Sequence, residues 1–219
     1  MPNGKENGKS KNNRNEKKEN EEINIIITGV GGQGVMTLGS LLSLAAQREG
    51  NNVMTSELHG LAKRFGHTEF HLRIGKNVKT TIVPNMSADM IIALEPLETQ
   101  SLIKYCNKEK TIVYSDSIQI KPTRMDIENI SYPSLDEIKT RIKPHIKEMF
   151  VYPASEIAKQ IAGSNMYSNI YLLGKIIKNK HLKIKQKTII DILEESFGKD
   201  NENIKVLKEA VKNNDKSLI

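Results

Sequence analysis

The feature that most constrains this chain is a glycine-rich turn between an apolar run and an amphipathic pattern. Residues 23–28 are mostly β-branched, and the next six read Gly29-Val30-Gly31-Gly32-Gln33-Gly34. Over residues 35–50, apolar side chains then recur at spacings of three and four, which indicates one buried face of a helix. The sequence therefore predicts a strand, a tight turn and a helix in direct succession, the unit that starts many α/β sheets.

The same turn is a candidate ligand site. Its spacing fits G-x-G-x-x-G between a strand and a helix, where glycines allow positive φ and close approach to the main chain. The first helical turn has unpaired N–H groups and the positive end of the helix dipole, which together favour phosphate. A purely structural alternative stays open, in which the glycines only permit a tight connection. The residues predicted to contact a ligand or partner here are Gly29, Gly31, Gly32, Gln33 and Gly34.

The rest of the chain alternates between strand and helix patterns. Strands are predicted at residues 53–57, 68–74, 78–83, 88–94, 111–114 and 148–151, and helices at 95–105, 134–142, 153–162, 165–180, 187–197 and 203–213. The period of two over residues 68–74 predicts a half-buried strand, and Gly75-Lys76-Asn77 predicts a hairpin into 78–83. The expected fold is α/β, with a mainly parallel Rossmann-like sheet, a hairpin insertion and a helical C-terminal portion.

Composition limits the classes of function. Residues 1–22 have almost no apolar side chains, so we expect a disordered N-terminal extension followed by one domain over residues 23–219, with its helical end at 153–219. The net charge of +7 could attract anions, but the lysines are scattered and no nucleic-acid recognition motif is present. No apolar stretch is long enough for a membrane span, and the single cysteine, Cys106, cannot hold a metal cluster. We expect a cytoplasmic protein that binds no metal, nucleic acid or membrane.

A second cluster of chemically active side chains follows the second predicted strand. Glu57, His59, Lys63 and Arg64 lie between residue 55 and Gly66 without apolar periodicity. Glu57 and His59 could serve as acid and base, and Arg64 could hold a phosphate or carboxylate. The structural alternative is a Glu57–Arg64 ion pair that shapes a loop, with His59 hydrogen-bonded inside it. Because ligand crevices of α/β sheets lie at the carboxyl ends of strands, we expect residues 31–34 and 57–66 to meet.

The two clusters together resemble a known family. The glycine turn, Thr55-Ser56-Glu57-Leu58-His59-Gly60, Arg64-x-Gly66 and the helical segment from Asn165 to Gly174 resemble the gamma domain of 2-oxoacid:ferredoxin oxidoreductases. Within that family the pattern is most similar to the small subunit of the indolepyruvate enzymes. Phe65 stands where the family commonly has glycine, which leaves the exact substrate open.

The resemblance implies that this chain and a large alpha subunit together form one enzyme. A large alpha subunit would carry thiamine diphosphate, Mg and [4Fe-4S] clusters, and the complex would oxidatively decarboxylate an aryl 2-oxoacid such as indolepyruvate. Coenzyme A would accept the acyl group and ferredoxin the electrons. This chain would supply no catalytic residue by itself. Its glycine turn, with Glu57, His59, Arg64 and Asn165, would line or cap the shared active site and contact coenzyme A.

Two other functions remain compatible with the sequence. Glu57 ends the second predicted strand about where a ribose-binding acid belongs, so a stand-alone NAD(P)- or flavin-binding Rossmann oxidoreductase is one alternative. A non-catalytic nucleotide or acyl-CoA binding module is the other.

Overall fold

The fold is described from a computed structural model, which covers residues 22–60, 66–122, 125 and 127–219 of the chain. The predicted extension, residues 1–22, lies outside this described part except for Glu22. The carboxylate of Glu22 accepts a hydrogen bond of 2.8 Å from Nη2 of Arg73.

A mixed sheet of six strands forms the centre of the described fold. Its order is β2-β3-β1-β4-β5-β6, with β1, β4, β5 and β6 parallel and β3 antiparallel to both β1 and β2. The predicted mainly parallel α/β fold is therefore confirmed. The strands are β1 Ile23–Val30, β2 Val53–His59, β3 His67–Ile74, β4 Met90–Ala93, β5 Ile112–Asp116 and β6 Glu148–Tyr152.

Helices cover both faces of the sheet. One face packs against α1 and the C-terminal helices, and its core includes Ile25, Ile27, Leu38 and Leu42. The other face packs against a 3-10 helix, Pro96–Tyr105, with Ile26, Ile91 and Val113 in the core. The α-helices are α1 Val35–Arg48, α2 Leu135–Ile142, α3 Ala154–Ala162, α4 Ser168–Lys178, α5 Gln186–Phe197 and α6 Glu202–Lys212, with shorter 3-10 turns at Lys143–His145 and Asn165–Tyr167.

Strand β3 corrects one prediction. It is buried on both faces rather than half-buried, because its polar face is covered by other parts of the chain. Arg73 Nε donates to Asn24 Oδ1 at 2.8 Å, and the ring of His71 packs edge-on against Tyr105 at 5.1 Å. A period of two shows which side chains share a face, but it cannot show that the polar face finds partners inside the protein.

The predicted hairpin from β3 into residues 78–83 is also wrong. That segment forms no strand, because both edges of β3 are already paired, with β2 on one side and β1 on the other. Val83 instead lies across the polar face of β3, where its N–H donates to Nδ1 of His71 at 3.1 Å. The antiparallel insertion of this fold is the β2–β3 pair.

Candidate active-site pocket

A pocket of about 580 Å³ opens where β1 ends, α1 begins, β2 ends and β3 begins. The expected meeting of residues 31–34 with residues 57–66 is confirmed, because Gly31 N donates to Gly66 O at 3.0 Å. Glycine backbone, the first turn of α1 and the ends of β2 and β3 line the pocket, through Val30, Gly31, Gly32, Gly34, Val35, Met36, Thr37, His59, Gly60, Gly66, His67 and Thr68.

Two glycines of the turn have backbones that other residues rarely adopt. Gly32 has φ +100° and Gly34 has φ +84°, both in the left-handed region. A Cβ at Gly32 would meet nothing within 4 Å, so this position opens directly into free space. A Cβ at Gly34 would lie 2.5 Å from Nδ2 of Asn169. Gly34 therefore needs to be glycine for both conformation and packing, whereas Gly32 needs to be glycine for conformation.

The side chain of Gln33 holds the turn in shape. Its Oε1 accepts the N–H of Val30 at 2.7 Å, and its Nε2 donates to the carbonyl of Leu94 at 2.7 Å. A Cβ at Gly29 would lie 2.8 Å from the same Oε1. Gln33 thus ties the end of β1 to the end of β4, and neither Gln33 nor Gly29 lines the pocket.

The start of α1 faces the pocket with uncapped N–H groups. Gly34 occupies the N-cap position and supplies no side-chain hydrogen bond, and the first turn has no acidic residue. The N–H groups of Val35, Met36 and Thr37 have no acceptor within the helix, and the dipole places partial positive charge there. All three residues line the pocket, which makes its inner wall suited to an anionic group.

Only part of the second predicted cluster reaches this pocket within the described residues. His59 lines it, and its Nε2 lies 3.8 Å from Oε2 of Glu57. Both side chains are more than half exposed. Arg64 falls in residues 61–65, outside the described residues, and the proposed Glu57–Arg64 ion pair falls there with it.

Asn165 is not brought to the glycine pocket. It lines a separate cavity of about 340 Å³ at the end of β5, with Asp116, Ser155 and Lys159. Burial raises the pKa of Asp116, although the hydroxyl and N–H of Ser155 bond to its carboxylate. The asparagine that contacts the glycine turn is Asn169, whose Nδ2 donates to Gly34 O at 3.2 Å. The sequence signal for Asn169 was its position four residues after Asn165 in the predicted helix.

A network of ionisable side chains supports the β3 wall of the pocket. The ring of His67 bonds to Glu98 through Nδ1 and to Glu69 through Nε2, the latter at 2.6 Å. Nε2 of His71 lies 3.0 Å from the other oxygen of Glu69. Because Nδ1 of His71 accepts the N–H of Val83, the ring proton belongs on Nε2 and is donated to Glu69.

This network fixes the charge of its members. Hydrogen bonds to Glu69 and Glu98 raise the pKa of His67 to about 9, although partial burial opposes the change. Burial alone would raise the pKa of Glu69, but hydrogen bonds from His67 and His71 outweigh it and lower the pKa to about 2. His67 is therefore an imidazolium at neutral pH. Both of its ring nitrogens are already bonded to carboxylates, so His67 has no free ring N–H to donate to a ligand.

Comparison with known proteins identifies the family. The sequence profile described as "Pyruvate ferredoxin/flavodoxin oxidoreductase" matches residues 24–213. The chain belongs to this family. The resemblance inferred from the glycine turn and the second cluster is thereby confirmed, and the pocket lies within the matched region.

Curated members of the pyruvate ferredoxin/flavodoxin oxidoreductase family resemble the chain over most of its length. A protein of Archaeoglobus fulgidus named "Indolepyruvate oxidoreductase subunit IorB" is 39% identical over 70% of this chain and 75% of its own. A protein of the same name from Thermococcus kodakarensis is 33% identical over 79% of this chain and 85% of its own. Both relatives are named as subunits of an oxidoreductase, so each works as part of a larger assembly.

Solved structures in the family share the fold. The pyruvate oxidoreductase subunit PORC of Thermotoga maritima matches with a TM-score of 0.66 at 15% identity, over 88% of this chain and 96% of its own. The 2-oxoglutarate:ferredoxin oxidoreductase of Magnetococcus marinus matches with a TM-score of 0.67 at 18% identity, over 91% of this chain and 32% of its own. In the second case the match is to one part of a much longer chain.

Neither a metal site nor a membrane-spanning helix is found among the described residues. No group of three His, Cys, Asp or Glu side chains among them has an arrangement that could hold a metal ion. No helix in this part of the chain has the length and apolar character required to cross a membrane.

Proposed function

We propose that the chain is the small subunit of an indolepyruvate, or more generally aryl 2-oxoacid, ferredoxin oxidoreductase. The complex would oxidatively decarboxylate a 2-oxoacid to an acyl-CoA and pass the electrons to ferredoxin. The observation that carries this proposal is the 39% identity to a protein named "Indolepyruvate oxidoreductase subunit IorB". Residues 23–219 would form one gamma-type domain, and the single buried Cys106 is in keeping with a reducing cytoplasm.

The redox and thiamine chemistry would belong to a large alpha subunit. This chain has one cysteine, whereas a [4Fe-4S] cluster needs four thiolates. That cysteine is also unsuited to be a nucleophile, since burial raises the pKa of its thiol to about 12. Thiamine diphosphate, Mg and the clusters would therefore lie on the partner, and this chain alone would not decarboxylate a 2-oxoacid.

The glycine pocket would receive an anionic part of the shared reaction, and a phosphate of coenzyme A fits its chemistry. Three uncapped N–H groups of α1 and the open space at Gly32 provide donors and room for a phosphate group. The related Magnetococcus marinus structure is titled as having "2-oxoglutarate, coenzyme A and succinyl-CoA bound", which supports coenzyme A as the ligand. His59 lines the same pocket and would contact the ligand, and Glu57 and Arg64 would help to cap the shared active site.

The test places a negative charge in the pocket without weakening the helix. Thr37 is exposed in the first turn of α1, where an acid stabilises the helix dipole. In the complex reconstituted with the large subunit, Thr37→Asp is expected to raise the KM for coenzyme A about ten-fold or more, by charge repulsion at short range. The isosteric variant Thr37→Asn should raise it far less. Equal KM values for the two variants would remove coenzyme A from this pocket.

The topology disfavours the stand-alone dinucleotide enzyme. In a Rossmann fold the ribose-binding acid ends a strand adjacent to β1, but here β3 separates β2 from β1. Glu57 at the end of β2 is therefore two strand spacings from the glycine turn, and it does not line the pocket. Titration of the purified chain with NADH is expected to give no fluorescence enhancement at micromolar concentration. Enhancement in that range would support the dinucleotide function.

A further inference from the structure

The two edge strands of the sheet, β6 and β2, differ in whether another segment of the described chain covers them. At β6, the chain covers its own edge, since Leu218 N donates to Val151 O at 2.8 Å and Val151 N donates to Ser217 Oγ at 2.9 Å. At the opposite edge, β2 has β3 as its only strand neighbour within the described part of the chain. The side chains of β2 are exposed or half-buried along the whole strand.

The hydrogen bonds that flank β2 show which backbone groups point outwards. Gly60 N donates to His67 O at 2.9 Å, and Gly75 N donates to Asn52 O at 3.0 Å. In an antiparallel ladder such bonds recur at every second residue, so even-numbered residues of β2 bond to β3. The N–H and C=O groups of the odd-numbered residues then point away from β3, at Val53, Thr55, Glu57 and His59.

This edge has few of the features that prevent a strand from pairing with another chain. Proteins usually protect a free edge with lysine, proline, a bulge or a very short strand. β2 reads Val-Met-Thr-Ser-Glu-Leu-His over seven residues, and its register with β3 is unbroken. Glu57 is the one carboxylate or ammonium side chain in the strand. The strand is therefore suited to accept an additional strand.

We propose that this additional strand is β2 of a second copy of the chain, paired antiparallel about a two-fold axis through Ser56. In this register Val53 lies opposite His59 of the second copy, and Thr55 lies opposite Glu57. All four outward-facing residues then meet outward-facing residues, which gives about eight backbone hydrogen bonds. The two sheets join into one continuous sheet across the axis.

The side chains of β2 are complementary in the same register. Val53 packs against the core on the α1 side, so the even-numbered residues share the opposite face. There Met54 lies opposite Leu58 of the second copy, and Leu58 is 37% exposed in the single chain. A shift of the axis to residue 57 would place Glu57 opposite Glu57 and would pair Val53 with no residue of β2. The axis at Ser56 uses the full strand and covers its apolar side chains.

A disulfide at the axis tests both the pairing and its register. In the proposed dimer the two Ser56 residues lie directly opposite each other, at a spacing that a disulfide can bridge. Ser56→Cys is expected to give mostly covalent dimer under mild oxidation, with Cys106 buried and unreactive. Thr55→Cys is the matched control, because each Thr55 faces Glu57 and the two Thr55 residues are offset along the strands. Absence of a Ser56→Cys dimer, or faster linkage of Thr55→Cys, would overturn the proposal.

Sedimentation of the unlinked protein tests the same pairing without a covalent bond. The full chain is expected to show a concentration-dependent dimer. Thr55→Pro, which removes an N–H that β3 does not use, should weaken it about ten-fold or more. Thr55→Val keeps the N–H and should retain the dimer, with circular dichroism confirming that both variants fold. A monomer at all concentrations would contradict the proposal.

The cross-link should also form in the complex co-expressed with the large subunit. The alternative occupant of this edge is a strand of that large subunit. If Ser56→Cys fails to cross-link in the complex while amide exchange at β2 is slowed there, the large subunit covers β2 and the proposal is wrong.

Discussion

At the scale of single residues, His67 shows how burial and pairing set the charge of a pocket wall. Its ring joins Glu69 of β3 to Glu98 of the 3-10 helix, so it links these two elements beside the pocket. Replacing it would leave two carboxylates close together without the cation that separates them. The cost of an unpaired buried carboxylate exceeds the gain from the pair itself.

The raised pKa of His67 predicts a pH-dependent stability. Because its folded-state pKa is about 9, above the ordinary value of 6.5, the stabilisation is fully present below pH 6.5. It is expected to decline as the pH rises through about 9, where the folded-state imidazolium loses its proton. Denaturant unfolding of the chain between pH 6 and pH 10 should show this loss. His67→Gln should be less stable by about 1–3 kcal/mol at pH 6 and should lack most of the slope.

His59→Gln provides the control for this experiment. It also removes an imidazole at the pocket, but that ring is more than half exposed, and the nearby carboxylate of Glu57 lies 3.8 Å away. Its free energy of unfolding at pH 6 is expected to stay close to that of the wild type, unlike that of His67→Gln. An unchanged slope in His67→Gln would show that the network contributes nothing to this dependence.

At the scale of elements, the helical end depends on a close approach between α4 and α6. A Cβ placed on Gly174 of α4 would lie 2.4 Å from the Cβ of Ala210 and 3.1 Å from Leu207 O. The contacts that this approach permits include Ile204, Leu207 and Ala210 of α6, all in the larger core. The glycine is therefore set by packing between helices, since helix propensity alone would favour alanine.

Gly174→Ala is expected to destabilise the protein by about 1–3 kcal/mol, because overpacking outweighs the roughly 1 kcal/mol that helix propensity gains. Ala210→Gly should lose stability on its own by creating space and by adding a flexible residue to α6. In the double variant the new methyl group can occupy that space, so its loss should be smaller than the sum of the two. Urea unfolding of all four proteins measures the coupling, and strict additivity would show that the two positions are independent.

At the scale of the whole molecule, the glycine pocket lies at the strand ends of a fold shared with an oxidoreductase subunit. The described residues contain a pocket suited to an anion, but no arrangement of His, Cys, Asp and Glu among them fits a metal ion. Among the described residues, the edge strand β2 also has no strand neighbour besides β3, and it ends beside the same pocket. These features fit a subunit that depends on other chains.

The corresponding prediction concerns purification from the native source. The chain should co-purify with a larger, brown, iron-containing companion, and the pair should reduce an electron acceptor when given a 2-oxoacid and coenzyme A. The chain purified alone should show no turnover under the same conditions. Iron analysis and an acceptor-reduction assay measure both outcomes, and oxoacid turnover at a normal enzymatic rate by the lone chain would contradict the assignment.

The sequence alone predicted the elements whose signals are local. The β1–turn–α1 unit, the helix predicted at residues 134–142 and the strand predicted at 88–94 all depend on neighbouring residues, and the structure has each element there. The order and spacing of the two clusters also sufficed to identify the family. The 3-10 form of the helix predicted at residues 95–105 was not evident, because α and 3-10 helices share similar caps and composition.

Tertiary structure decided what depends on contacts between distant residues. Such contacts place β3 antiparallel between β2 and β1 and pair Glu69 with His71. They also bring Asn169, rather than the predicted Asn165, to the glycine turn. A period of two assigns a face to a polar side chain, but whether that face meets water or another segment depends on the whole chain. The sequence determined the elements and the family, and long-range packing determined which side chains surround the pocket.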